Sequence, residues 1–351
     1  MAVESVDPTP APAVDPVEPA FAAAGEMVRK NVHGLYYASY FLPKHKRRAV
    51  TSVYAFCTMI LDALKAGDDP INNGTGLRNH PAVVSPRHLQ SAPPTDERVG
   101  CGGGEIDTRL AMFRDRLAEI YAGGLELPAV ASRSEQQHAL EAFSRTVQNF
   151  DLPQQYFLDL AEGCRVDATV MRYATWNRLE SFLNLTGGSI GKMIASVLGV
   201  THSEAHHQAA KLGAAVRLSH ILRNLPADAQ RGRVYLPLEN MVHFHYGEAD
   251  LLAGTVNERL VELMKFEIAR CRTLYEQGAE AIGWLSDEGS RLAVSLIAVA
   301  SSGVLKAIER QNYNVFATAP KLSTSDTVRR LPAAWRLARR QAGEPMDRVF
   351  D

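Results

Sequence analysis

From Lys44 to Ala66 apolar side chains recur every three or four residues, at Val50, Val53, Tyr54, Cys57, Ile60, Leu61 and Leu64. That spacing stacks them along one stripe of an α-helix and cannot line one face of a strand, whose period is two. Pro43 stands just before the run, a position where a missing backbone N–H costs a helix little. The helical period returns from Asp107, with breaks at Pro128, Pro153, Gly199, Pro226, Pro237, Gly254 and Asp287 to Gly289. Few segments alternate as strands do, so the expected class is all-α, a bundle or orthogonal packing of helices.

The 351 residues exceed a usual single domain, yet no linker divides them into two cores, so one large helical domain is expected. Residues 1–24 mix Pro, Ala, Asp and Glu without periodicity and read as a disordered tail, with helices from Gly25. The paired prolines and many glycines between positions 67 and 104 read as a long surface loop inserted in a domain spanning 25–340, and 341–351 as a second tail. With 38 basic against 39 acidic side chains, the charge balance carries no nucleic-acid or membrane-surface footprint. Cys57, Cys101, Cys164 and Cys271 lie far apart with no secretory signal before them, which predicts free thiols in a reducing cytoplasm. The apolar run Leu292 to Leu305 is too short to span a bilayer and reads as a buried helix, without stable membrane insertion.

Chemistry concentrates between Gly213 and Pro237. His220, Asn224 and Asp228 stand at i, i+4 and i+8, so a continuous helix would align them on one face. Oxygen and nitrogen donors in such a row can hold a hard cation, although a polar helix face has the same pattern, and Pro226 weakens the helix there.

This segment resembles the second aspartate-rich motif of the squalene/phytoene synthase family, and Arg231 to Pro237 match the Arg-Gly-Arg-x-Tyr-Leu-Pro signature that follows it. The helix-opening stretch is similar as well, through Tyr36, Tyr37, Ala38, Ser39, Leu42, Pro43, Arg47, Arg48, Ala49 and Tyr54 to Cys57. Further matches are Glu162, Gly163, Asp167, Tyr173, Leu179, Gly188 and Gly191, and, near the end, Ile308, Asn312, Tyr313, Val315 and Phe316. The resemblance covers about Gly34 to Leu322. It implies a single-domain isoprenoid synthase-type helical bundle with a central cavity, in which Asp62 faces the helix of Asp228. It also implies an enzyme acting on allylic isoprenyl diphosphates with Mg2+, under an Arg-Gly-Arg segment that acts as a flap.

Carried over position by position, the resemblance assigns catalysis to Asp62, Asn224, Asp228 and Phe182, and metal binding to Asp62, Asn224 and Asp228. It assigns substrate and diphosphate contacts to Tyr54, Lys65, Arg217, His220, Arg223, Arg233, Tyr235, Glu162 and Asp167. The departures are chemical. Where the family has an Asp-Asp-x-x-Asp run, this chain has Thr58, Leu61, Asp62 and Lys65. In the second motif His220 replaces Asn and Asn224 replaces Asp, Arg217 stands for a usual Gln, and Phe182 stands for a Tyr. Cations can bind a diphosphate but cannot coordinate magnesium, so fewer metal ions and one ionised donor are expected rather than two.

Three activities remain open at this level. One is prenyl transfer to a non-prenyl, aromatic small-molecule acceptor; the others are head-to-head coupling of two prenyl diphosphates and a silent, lipid-binding homologue. Asp68, Asp69 and the pairs His206-His207 and His243-x-His245 read as turn or surface residues.

Overall fold

The structure is a computed structural model and describes residues 17–65, 103–128, 133–318, 320, 329–340, 344 and 349–350. Among these residues there is no strand, only two isolated bridges, Arg172 with Val234 and Val200 with Leu285. The helices are α1 (Glu18–Asn31), α2 (His33–Ala38), α3 (Lys44–Lys65), α4 (Gly103–Tyr121), α5 (Glu135–Asn149), α6 (Gln154–Thr169) and α7 (Trp176–Leu183). They continue with α8 (Ser189–Leu198), α9 (Ala205–Gln230), α10 (Leu238–His243), α11 (Glu248–Ala253), α12 (Glu258–Gly283), α13 (Glu288–Arg310) and α14 (Leu331–Arg339). One π-helical turn, Asn184–Gly188, joins α7 to α8.

Two cores hold the bundle together. In the first, α3 turns Ala49, Val50, Val53, Phe56, Cys57 and Ile60 inward, the stripe that its periodicity predicts. The Phe56 ring stacks on Phe143 of α5 at 3.8 Å and meets Phe157 of α6 edge-on at 5.7 Å. The second core gathers around α9, whose Leu218, Ile221, Leu222 and Leu225 are buried with Phe182 of α7, Tyr275 of α12 and Ile308 of α13. Asp287 caps α13 by accepting from the Ser290 backbone N–H at 2.8 Å, and Lys46 holds the same carboxylate at 2.6 Å, tying α3 to α13.

The breaks at Pro128, Pro153, Gly199, Pro237, Gly254 and Asp287 to Gly289 all lie at or between helix ends. Pro226 does not break its helix. It sits inside α9, which forgoes one backbone hydrogen bond and runs four residues further, held by burial of Leu222, Leu225 and Ala229. The first helix starts at Glu18, not Gly25, because Pro19 suits a helix start and the small side chains Ala20 and Ala24 bury completely against α3 and α5. Residues 1–16 and most of the 67–104 stretch, with Asp68, Asp69 and Cys101, lie outside the described residues, and α4 begins at Gly103. At the far end Phe350, placed in a tail by composition, is buried and stacks on Tyr275 at 5.2 Å.

Helix α13 is the one described helix long and apolar enough to cross a membrane. Ala298, Val299, Leu305 and Ile308 place it in the second core, which is the buried helix read from Leu292 to Leu305.

Candidate active site

The site is framed by the segment after α9. The Arg231 and Arg233 backbone N–H groups both donate to the Asp228 carbonyl, at 3.1 and 2.8 Å, and Gly232 takes φ +75°. A side chain would be strained at that angle, which explains the glycine of Arg-Gly-Arg. The chain then runs extended beside residues 171–174: Val234 N donates to Met171 O at 3.0 Å and Leu238 N to Tyr173 O at 2.9 Å. Arg172 clamps this arm by donating to the Gly232 carbonyl while pairing with Glu248. Val234, Tyr235 and Leu236 are buried. The Arg-Gly-Arg part itself stays at the surface, with Arg231 exposed and Gly232 and Arg233 half-buried, and the residues after it anchor it to the core.

That arm carries Arg233 and Tyr235 to Asp167, in the last turn of α6. The Tyr235 hydroxyl donates to Asp167 Oδ1, Arg233 Nη1 lies 3.3 Å from Oδ2, and Arg217 Nη2 of α9 lies 3.7 Å from Oδ1. The Arg217 guanidinium also covers the rings of Phe182 at 5.4 Å and Tyr235 at 5.9 Å. Tyr173 completes a box of three rings, 5.8 Å from Tyr235 and 5.5 Å from Phe182. Among the described residues the Tyr173 hydroxyl and Arg217 Nε are buried donors with no partner, the kind of group that a polar ligand can satisfy. Tyr173 is the residue that sequence reasoning left out of the site. It stood among the matching positions, but its ring meets Phe182 and Tyr235 only in three dimensions.

The electrostatics follow from burial beneath arginines. Burial pushes the Asp228 carboxyl up to about 6, against the pull of Arg217, Arg231 and Arg233. His220 is pushed down to about 3, first by burial and then by the positive charges of Arg223 and Arg217, so its imidazole is neutral. Burial disfavours the charge on Arg217, but Asp167 and its neighbours outweigh it and hold that pKa above its ordinary value. Burial alone lowers Arg223, whose Nε donates to Asn224 Oδ1 at 3.1 Å.

Because α9 is continuous, His220, Asn224 and Asp228 do lie along one face, each half-buried. Other residues singled out in the sequence lie on α3 and α6. Glu162 pairs with Arg165 at 2.6 Å, Asp62 is exposed near the end of α3, and the Lys65 side chain lies outside the described residues. Tyr54, on α3, is half-buried, and burial pushes its hydroxyl up to about 12. Among the described residues no three His, Cys, Asp or Glu side chains group as a metal site, and His206 pairs with Ser196 at 3.0 Å.

The squalene/phytoene synthase family model matches residues 28–326. The chain belongs to the squalene/phytoene synthase family. It is 29% identical over 343 residues to the 15-cis-phytoene synthase of Synechocystis sp., covering 93% of this chain and 89% of that protein. It is 28% identical over 321 residues to the phytoene synthase of Arthrospira platensis, covering 87% and 88%. A dehydrosqualene synthase superposes with a TM-score of 0.73 at 24% identity, over 91% of this chain and 98% of that one. The squalene synthase HpnC from Alicyclobacillus acidocaldarius gives 0.67 at 20%, over 85% and 96%. The fold is thus the all-α isoprenoid synthase fold, and the protein is an enzyme of prenyltransferase type.

The squalene/phytoene synthase family depends on a divalent metal, and among the described residues there are oxygen donors that fit such an ion. Both Asp167 oxygens are engaged by arginines and a phenol, while Asp228 and the Asn224 amide, whose Oδ1 also accepts from Arg223, supply oxygen donors along α9. Magnesium is commonly held by one or two carboxylates together with substrate phosphates.

Asp167→Asn is expected to lower stability by about 2 kcal/mol, a value discounted for the partial exposure of both arginines. A thermal melt indistinguishable from wild type would show that the ion cluster contributes nothing.

Proposed function

We propose that this enzyme ionises one allylic isoprenyl diphosphate and transfers the prenyl group to an electron-rich aromatic small molecule, releasing diphosphate. The observation that carries this reading is the box in which Arg217 lies over Phe182 and Tyr235 while sharing Asp167 with Arg233. Such a site has cations for one diphosphate and too few carboxylates to load metal for two. Arg217, Arg223 and Arg233 take diphosphate oxygens, and His220, kept neutral, lines the same helix face. Asp228 and Asn224 would hold one Mg2+, with Asp62 as the acid remaining on α3. When bound, the ion neutralises charge on the leaving oxygens.

The C–O bond breaks with its electron pair going to diphosphate. The faces of Phe182, Tyr173 and Tyr235 flank the allylic cation and keep water from it. A ring carbon of the acceptor forms the new C–C bond, and the ring proton leaves to the departing diphosphate. Phe182, buried and without a hydroxyl, can stabilise the cation but transfers no proton. Buried free thiols at Cys57 and Cys271 suit a reducing, cytoplasmic setting.

Head-to-head coupling of two prenyl diphosphates is the second reading, favoured by the named activities of the phytoene synthase relatives. Incubation with labelled donors of one to four isoprene units, with and without Mg2+ and hydroxylated aromatic acceptors, separates the two. Acceptor-dependent diphosphate release and a labelled aromatic product are expected. A hydrocarbon formed from donor alone would replace the first reading by the second.

A further inference from the structure

An apolar groove of about 440 Å³ opens on the surface, lined by Phe41, Leu292, Leu296, Leu331, Pro332 and Trp335. Its floor is the outward side of α13, and α14 forms one wall. On α14 the side chains of Ala334, Leu337 and Ala338 are buried, whereas Leu331, Trp335, Arg336 and Arg339 face solvent. The other wall is the short turn after α2, which presses against the start of α13. A Cβ on Gly289 would come within 2.4 Å of the Phe41 carbonyl. The aromatic surface continues outward along that wall, with Tyr37 64% and Tyr40 56% exposed, and Trp335 on the far side at 49%. Tyr36 bridges the wall's rings, meeting Tyr37 at 5.6 Å and Tyr40 at 5.4 Å. Contiguous exposed apolar surface of this kind marks a docking face.

The rim decides what docks there. Lys44, Arg329, Arg336 and Arg339 are exposed around the groove, and Arg47 lies half-buried over the Tyr40 ring at 5.0 Å. Arg339 stacks on Trp335 at 3.8 Å, so cation and aromatic face outward together. Glu288 is an exposed acid at the end of α13 nearest Phe41, while the neighbouring Asp287 is neutralised by Lys46 at 2.6 Å. Among the described residues cations thus outnumber acids on this rim, although the whole chain is close to neutral at a net charge of −1. Tyrosine and tryptophan rings settle at the headgroup level of a bilayer, apolar side chains go below it, and arginines pair with lipid phosphates.

We propose that this face docks the enzyme peripherally on an anionic phospholipid bilayer, with the groove of Phe41 and Trp335 lying in the headgroup region. The helix under the groove stays in the protein core, so the attachment is reversible and nothing crosses the membrane. The proposal stands apart from the reaction assigned above, because lipid binding is read without turnover.

The test is co-sedimentation of the full chain with vesicles of phosphatidylcholine alone or with about one-third phosphatidylglycerol. The bound fraction should be about tenfold higher on the anionic vesicles and fall with added salt. The double variants Phe41→Ser/Trp335→Ser and Arg336→Glu/Arg339→Glu should each lose most of that binding at unchanged melting temperature. Should either variant unfold, the emission of Trp335 reads docking in the wild-type chain: a blue shift on anionic vesicles, absent in Trp335→Phe. No preference for anionic vesicles, or full binding by both folded variants, overturns the proposal. So does a dimer in analytical ultracentrifugation that Phe41→Ser/Trp335→Ser dissociates, since a second copy would then cover the face.

Discussion

Asp228→Asn is expected to abolish turnover and, at neutral pH, to make the protein more resistant to heat. The first effect follows if Asp228 is the carboxylate along α9 that takes the metal. Its loss then removes about 4 kcal/mol of transition-state stabilisation, on the order of a thousandfold in rate. The second follows from burial, which raises the carboxyl from 3.8 to about 6 in the folded chain. Below pH 3.8 the group is protonated in both folded and unfolded chains and contributes no difference. Between 3.8 and about 6 the folded chain holds the proton more tightly, so stability falls as pH rises. Above 6 the penalty of a buried charge is fully present, about 3 kcal/mol at most for a side chain only 16% exposed. Asparagine carries no such charge. Melts of both proteins from pH 4 to 8 should therefore diverge as pH rises, with the variant higher. A variant that melts lower than wild type at pH 8 would mean that the arginines more than offset the burial.

Gly213→Ala should damage the fold. A Cβ there would lie 2.0 Å from the Gly187 carbonyl oxygen, and one on Gly187 would lie 2.2 Å from the Gly213 oxygen and 2.9 Å from Arg217 Cβ. The nearest obstacle to each is the other's backbone oxygen, so α9 must move away from the π-helical turn. Alanine's better helix propensity returns about 1 kcal/mol. The overpacking exceeds that and costs about 3 kcal/mol or more, on the order of four or five degrees in melting temperature for a chain of this length. Gly25→Ala, where a Cβ meets nothing within 4 Å, is the matched control. A Gly213→Ala melt within a degree of wild type would show that the two backbones part without cost. The same shift would carry Arg217 away from Asp167 and Phe182, so donor affinity should fall along with stability.

Most of the helical frame was legible because its signals are local. Pro43 and the apolar stripe placed α3, and proline or glycine marked most of the other ends. Pro226 misled because a local rule met a helix whose buried face outweighs one lost hydrogen bond. The start of α1 was missed because alanines look like linker until a neighbouring helix packs against them. In the site, the row His220, Asn224 and Asp228 could be read from spacing alone. Asp167, Phe182, Arg217 and Tyr235 could not be joined that way, since α6, α7, α9 and the arm after α9 supply one residue each. Tyr173 was missed for the same reason. Asp62 was legible as the acid left in the first motif, and it stands exposed near the end of α3.

The two cores meet along α6. Its Phe157, Leu160, Ala161 and Cys164 belong to the first, while Val166 and Val170 at its far end pack on the second. Asp167 sits at that crossing and its arginines come from the second side, so the ion cluster works as a bolt between two halves. Drawing the halves apart by an ångström or two would release the bolt before either core lost its own packing. Amide exchange should then show two separately protected blocks with the end of α6 opening first, and a bound diphosphate should slow that opening by holding the same arginines.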